Sequence, residues 1–465
     1  MMRFVFFLSW EYYLERIQVQ KKGGITVKYV IIGGDAAGMS AAMQLVRNDA
    51  QAEITVLEKG DHYSYAQCGL PYWIGGDIDG EEKLVARDAD TYRIKHGIDA
   101  RTQHEVTSID VKEKRVAGSN FDIPYDKLLI ASGARPFIPD WENKDLNGIY
   151  TLKTIPDAKK IIERLEGKRR NITVIGGGSI GLEIAENVCK AGHQVRILER
   201  SARLAMNFDK EMTDHIHEKA IDEGIQLDLN HDIQGFKSDE QGNVTAVVTN
   251  LSECKTDLVI VAVGVRPNTD FLASTGIHLD QNRAIKVNRY METNVEDIYA
   301  AGDCATQYHR LTDKDTYFPL GTHANKQGRI AGLNMCGKPR VFKGIVGTQI
   351  YQFFDLALAR TGLSSREIEE LGFPYKCVQA KLPHVAAYYP THEPLLIRLQ
   401  YNEKTGEVLG GQFIGTKGVD KRCDVLATAL YHGMTMQDLE ELDLGYSPPF
   451  NSVWDPLQQT ARRRT

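Results

Sequence analysis

The sequence has no Cys-x-x-Cys pair, and its seven cysteines, an odd number without repeating spacing, do not make a disulfide framework. The same lack of paired cysteines argues against a structural zinc site, and a reducing cytoplasm is the simplest setting. Basic excess is missing too: 56 Lys+Arg face 62 Asp+Glu, a formal charge of −6. That speaks against a strongly basic nucleic-acid binder and gives no electrostatic reason to expect an anionic membrane partner. Long apolar runs are also absent at the start. The stretch MMRFVFFLSW ends at Glu11, whereas a membrane span needs about 20 apolar residues and a secretory signal needs a small-residue cleavage site. Proline is sparse at 15 against 41 glycines. The glycines are therefore read as close backbone–ligand approaches rather than low complexity. A chain of 465 residues at about 150 per domain suggests roughly three domains.

Residues 1–26 precede the first expected strand, which begins at Lys28. Lys21-Lys22-Gly23-Gly24 can be encoded by a purine-rich ribosome-binding run, and Val27 by GTG, an alternative start codon. Residues 1–26 are expected to be translated leader, with Val27 the natural start; the other reading is a disordered or docked extension.

One long-range echo organises the rest. Val27–Glu58 reads strand, glycine turn, helix, strand, and Asn171–Glu199 reads the same way. Tyr29–Ile32 and Ile172–Ile175 are apolar runs suited to buried parallel strands. Each unit ends in an acid, Glu58 lying 25 residues after Gly33 and Glu199 23 after Gly176. One Gly-x-Gly-x-x-Gly loop is weak evidence, but two in matching βαβ units are strong. Further glycine turns follow in LLIASGARP (128–136), LVIVAVGVRPN (258–268) and IYAAGDC (298–304). The last supplies Asp303 at a strand end, where a helix is expected to start. From about Phe342 strand-like runs (395–399, 408–414) alternate with helical ones (421–432, 436–442), as in a separate α+β domain.

The chemistry of these loops is electrostatic. A pyrophosphate carries two negative charges, and a helix amino end offers free N–H groups and partial positive charge. Gly33 lets the chain turn and Gly38 lets helix and strand pack closely. Asp35 stands where the usual middle glycine would be, placing a like charge near phosphate. Glu58 is the expected ribose acid, with Ala36, Ala37 and Lys59 beside the same nucleotide. In the second unit Gly176, Gly178, Ile180 and Gly181 form a complete loop, and Glu199 is its ribose acid. Glu199 favours NADH, while Arg200 and Arg203 could accommodate a 2′-phosphate if the carboxylate swings to solvent. Use of both cofactors with NADH modestly favoured is expected.

The order of the modules resembles the class I pyridine nucleotide–disulfide oxidoreductases from Val27 onward. The resemblance implies an α/β fold with two Rossmann-like dinucleotide-binding domains, for FAD and NAD(P), plus a C-terminal α+β dimerisation domain. The expected boundaries are 27–145 and 270–341 for the two parts of the FAD domain, 146–269 for the NAD(P) domain, and 342–465 for the dimerisation domain. It also implies that Ser132, Gly133 and Asp303 face the flavin, and that Glu183 and Gly264 lie near the nicotinamide.

Cys68 sits in SYAQCGLPY soon after Glu58. Related reductases with a Cys-x4-Cys pair have two cysteines here; this chain has one, so it must cycle through a mixed disulfide, a persulfide or a sulfenic acid. Its thiol is expected to be lowered by the flavin and a helix amino end. The other six cysteines are read as structural, in helices or turns.

SYAQCGLPY and the tail LDLGYSPPFNSVWDP (442–456) are similar to the coenzyme A-disulfide reductases. This resemblance implies reduction of coenzyme A disulfide by NAD(P)H through a Cys68–S–S–CoA mixed disulfide in a cytoplasmic homodimer. It implies CoA contacts from Ser40, Gln44 and Arg47, spaced i, i+4, i+7 on the first helix, and from Ser64, Gln67 and Asn325. Tyr388 and Tyr446 match tyrosines that such enzymes lend across the dimer interface. The alternatives are an NADH oxidase or peroxidase, a CoA-persulfide reductase, or, from another class, a redox-sensing or electron-transfer flavoprotein. Relatives acting on peroxide or dioxygen have a histidine in the first glycine loop, where this chain has Ala36. Persulfide-reducing relatives often append a rhodanese domain, not found in this sequence.

Overall fold

The computed structural model describes residues 26–464. The expected leader, except Thr26, lies outside the described residues. Two five-stranded parallel sheets form the first two units. In one, Lys28–Ile32 lies between Lys127–Ile130 and Glu53–Leu57, with Ile298–Ala300 and Asp99–Arg101 at the edges. In the other, Asn171–Ile175 lies between Leu258–Val261 and Gln194–Glu199, with Ile149–Tyr150 and Gln226–Leu229 outside. The central strands are apolar runs buried on both faces, as parallel strands covered by helices must be.

The echo extends to atoms. A Cβ on Gly38 would lie 1.9 Å from the Gly33 carbonyl, and one on Gly181 would lie 1.9 Å from the Gly176 carbonyl. Gly33 and Gly176 share φ +108°, a conformation that favours glycine. Each loop thus packs its helix so closely on the preceding strand that only hydrogen fits.

Ala134–Pro136 and Val265–Pro267 pair antiparallel where the chain leaves the first unit and later returns from the second. The helix expected beside Asp303 starts later. Residues 307–316 first form a hairpin, and the helix is Gly321–Met335. This helix packs on Ala36–Asn48 at glycines: a Cβ on Gly328 would lie 2.0 Å from the Ala37 carbonyl.

The last unit is a five-stranded antiparallel sheet in the order Gln349–Phe353, Leu356–Gly362, Val408–Gly415, Pro394–Asn402, Tyr375–Pro383. Helix Val419–His432 contributes Cys423, Leu426 and Leu430 to its core. Among the described residues no helix is long and apolar enough to cross a membrane.

Candidate active site

The two acids expected to hold riboses are fastened alike. Glu58 accepts from the backbone N–H of Gly34 and of Gly60, both at 2.8 Å. Glu199 accepts from Gly177 and Ser201, both at 2.7 Å. Every carboxylate oxygen keeps lone-pair capacity for a ribose hydroxyl. The helices that follow, Ala36–Asn48 and Ser179–Lys190, have no side chain capping their first N–H groups, which stay free for phosphate oxygens. Asp35, at the N-cap, caps none of them with a full side-chain hydrogen bond. Its carboxylate instead accepts from Gln67 Nε2 at 2.7 Å. Burial, with Glu58 adding, pushes Asp35 up to about 6. This geometry fits FAD at the first loop and NAD(P) at the second.

The other nucleotide-site candidates are placed as follows. Ala36, Ala37 and Gly38 form the first turn of the first helix. Lys59 lies beside Glu58, but its ammonium pairs with Glu105 at 3.1 Å on the surface. Ser132 and Gly133 sit at the crossing between the units, bonded to the Asn268 carbonyl and N–H at 2.7 and 2.9 Å. Gly264 accepts from Phe137 N–H at 3.0 Å with φ +120°. Gly178 precedes the second helix, and Ile180 in its first turn is 45% exposed. Asp303 faces Lys153 at 3.4 Å.

Cys68 is the one exposed cysteine among the described residues. It occupies a single turn, Gln67–Gly69, leading into the short helix Leu70–Ile74. Gln67 ties this segment to Asp35 in the first loop, and Tyr72 donates to Glu183 on the second unit's helix at 3.4 Å. The thiol therefore stands where the two nucleotide modules meet. The expected lowering of its pKa is not produced by the protein's own groups: burial raises it, the Glu183 carboxylate adds, and Lys153 opposes. Although exposed, the thiol is ringed by enough protein for this desolvation to count. Burial likewise pushes Glu183 up to about 7. Two of the remaining cysteines, Cys254 and Cys377, lie in strands of antiparallel sheets, Glu253–Lys255 and Tyr375–Pro383, rather than in helices or turns.

The substrate candidates separate. Ser40 donates to Asn325 at 2.8 Å across the tight helix pair. Arg47 is exposed, whereas Gln44 is buried. The three do not form one open face, because the second helix closes over part of it. Ser64 shares a 2.7 Å hydrogen bond with Tyr92, whose ring lies 6.0 Å from that of His96. His96 is pushed down by burial and then by Arg87, Lys95 and Arg47, which marks a cationic patch beside Ser64. Sequence reasoning missed Tyr72, Tyr92, His96 and Lys153. Tyr72 closes the SYAQCGLPY segment, four residues after Cys68, and could have been found there; only proximity reveals Tyr92, His96 and Lys153, which carry no motif. Tyr388 and Tyr446, 73% and 49% exposed, share a hydrogen bond at 3.1 Å.

Comparison with known proteins decides the family. Residues 27–328 match the pyridine nucleotide-disulphide oxidoreductase family, and residues 348–457 match its dimerisation domain. The chain belongs to this family. Its members are NAD(P)H-dependent flavoproteins, so FAD and a nicotinamide nucleotide are its cofactors. It is 36% identical over 439 residues to an NAD(P)H coenzyme A polysulfide/persulfide reductase of Pyrococcus horikoshii, covering 94% of this chain and 98% of that one. It is 31% identical over 436 residues to a coenzyme A disulfide reductase of Staphylococcus aureus, covering 92% and 97%. An NAD-dependent persulfide reductase from A. fulgidus superposes with a TM-score of 0.91 at 36% identity, covering 94% of this chain and 82% of that one. The two α/β units and the antiparallel tail are thus the family's two dinucleotide domains and its dimerisation domain.

Proposed function

We propose that this oxidoreductase is a cytoplasmic homodimer that reduces coenzyme A disulfide to coenzyme A. The observation that carries the reading is Cys68, a lone exposed thiol in a turn anchored to both nucleotide modules through Gln67 and Tyr72. When bound, the nicotinamide supplies a hydride and the flavin passes the electron pair to sulfur.

The chain's own residues do the rest. The Cys68 thiolate attacks one sulfur of the disulfide, forming Cys68–S–S–CoA and expelling one CoA thiolate. An electron pair delivered to that mixed disulfide breaks its S–S bond, releases the second CoA thiolate and restores the Cys68 thiolate. Lys153 opposes the burial and carboxylate charge that hold the thiol protonated. The positive region of Arg47, Arg87 and Lys95 beside His96 suits the phosphates of CoA, while Ser40, Ser64, Gln67 and Asn325 line the approach to Cys68 and Gln44 supports it from the buried side of the helix. Tyr388 and Tyr446 of one protomer complete the site of its partner, where a phenol can hydrogen-bond a departing thiolate without being charged.

A second reading, CoA persulfide as substrate, is favoured by the relative named for persulfide reduction. The oxidase reading is weaker, since Ala36 stands at the loop position where peroxide- and oxygen-reducing relatives have histidine. Anaerobic turnover tests the proposal: NADH with CoA disulfide should saturate and yield two CoA thiols per NADH. Turnover only with persulfide or dioxygen would reject it.

A further inference from the structure

The two exposed tyrosines are 58 residues apart, each on an irregular segment, yet their hydroxyls lie 3.1 Å apart. Exposed side chains do not hold such a pairing by themselves. What joins the two segments lies beneath them. Arg422, on helix Val419–His432, is 1% exposed and heads the largest fully buried side chains. Its Nη2 donates to the His384 carbonyl at 2.8 Å, in the segment that leads to Tyr388. The same nitrogen donates to Asn451 Oδ1 at 3.0 Å, and Asn451 Nδ2 in turn donates to the Gly445 carbonyl at 3.1 Å, one residue before Tyr446.

Each of the other guanidinium nitrogens also has a partner. Nε faces Asp455 at 3.1 Å, Nη2 faces the same carboxylate at 3.0 Å, and Nη1 donates to the Gly418 carbonyl at 3.2 Å. Asp455, also 1% exposed, accepts from Leu457 N–H at 2.8 Å and so starts the last helix. The place is shaped for this group: a Cβ on Gly418 would lie 2.3 Å from Nη1. A buried charge makes sense only when every donor is satisfied. Here Asp455 and the Gly418 carbonyl hold Nε and Nη1, and the two segments that present the tyrosines supply the hydrogen-bond partners of Nη2.

We propose that Arg422 is a positioning residue for substrate turnover, fastening the Tyr388 segment to the Tyr446 segment so that the phenols reach the partner's site together. This rests on the proposed role of the tyrosines. A planar fork is needed because one end must bridge a carbonyl, an amide and a carboxylate, which the point charge of lysine does not do.

The test is a double-mutant cycle on the dimeric holoenzyme, with NADH and CoA disulfide as the assay. Tyr388→Phe/Tyr446→Phe should lower kcat by about tenfold or more. Arg422→Lys and Asn451→Ala should each lower kcat in the wild-type background, but by less than about twofold when added to the double-phenylalanine variant. Anaerobic reduction of FAD by NADH should be unchanged in all of them, a readout that a general loss of structure would move. If Arg422→Lys does not yield a dimer with bound FAD, Asn451→Ala decides, since it leaves the Arg422–Asp455 pair intact. Losses that multiply undiminished in the double-phenylalanine background, or no loss at all in the wild type, would overturn the proposal. Full turnover by the double-phenylalanine variant itself would instead overturn the role of the tyrosines, and with it the purpose assigned to Arg422.

Discussion

We propose Glu199 as the handle by which the second nucleotide site chooses between NADH and NADPH. Swinging this carboxylate out to admit a 2′-phosphate would break its two 2.7 Å bonds from Gly177 and Ser201. Each is charge-assisted and contributes about 1.5–3 kcal/mol net of the water that would replace it, so release costs roughly 3–6 kcal/mol. Staying in place is no cheaper: two unit charges 4 Å apart at an effective dielectric of about 20 repel by roughly 4 kcal/mol. Arg203 has a buried Nη1 without a partner and can return part of this cost, while Arg200 is exposed. The modest preference expected from sequence therefore becomes a firmer one, because the acid is fastened rather than free. NADH should exceed NADPH in kcat/KM by about tenfold or more, a difference of at least roughly 1.4 kcal/mol. Glu199→Ala should shift that ratio toward NADPH by about tenfold or more. Glu199→Gln, which removes the charge but keeps an acceptor, should shift it in the same direction. Steady-state kinetics with both nucleotides reads the ratio. An unchanged ratio in Glu199→Ala would mean that the carboxylate does not face the ribose, and would refute the reasoning.

Three further outcomes follow from the same geometry. Cys68→Ser should bind FAD normally and lose disulfide reduction by about a thousandfold or more; substantial residual turnover would assign the reaction to another thiol. Gly181→Ala should raise the KM for NADH by about tenfold or more, since its Cβ would meet the Gly176 carbonyl at 1.9 Å and backbone cannot step aside cheaply; unchanged kinetics would show that the loop relaxes. Burial pushes Glu183 up to about 7 in the folded protein from an ordinary value of 4.5. Between those values the folded state holds a proton that the unfolded chain has lost, so stability falls as pH rises through that window. Glu183→Gln lacks this contribution, and the melting temperature should fall less from pH 5 to pH 8 in the variant than in the wild type; an equal fall would mean that burial does not hold the Glu183 proton.

The periodic parts of the molecule were legible in the residues themselves. Tyr29–Ile32 and Ile172–Ile175 read as buried parallel strands because their neighbours cover both faces, and the acids after them could be placed by spacing alone. The tail's strands and helices were legible for the same reason of local pattern. What sequence missed depends on distant segments meeting. Lys153 faces Asp303 across 150 residues, and Tyr92 reaches Ser64 from a helix that carries no motif. Gln44 was read as part of an open face because helical spacing says which residues share a side, not what packs on it. The helix carrying Asn325 supplies that cover, and its start was misplaced because the hairpin at 307–316 has no strong turn signal of its own. The thiol's environment was misjudged for a similar reason. A helix amino end is visible in sequence, but the Glu183 carboxylate brought beside Cys68 by the second unit is not.

The central claim is that Cys68 carries coenzyme A during turnover. The direct measurement is peptide mass spectrometry of NADH-reduced enzyme, freed of excess NADH and mixed anaerobically with CoA disulfide. The account predicts a CoA adduct on the Cys68 peptide that dithiothreitol removes and that a further addition of NADH discharges. An unmodified Cys68, or a sulfenic acid or persulfide there with no CoA attached, would contradict it.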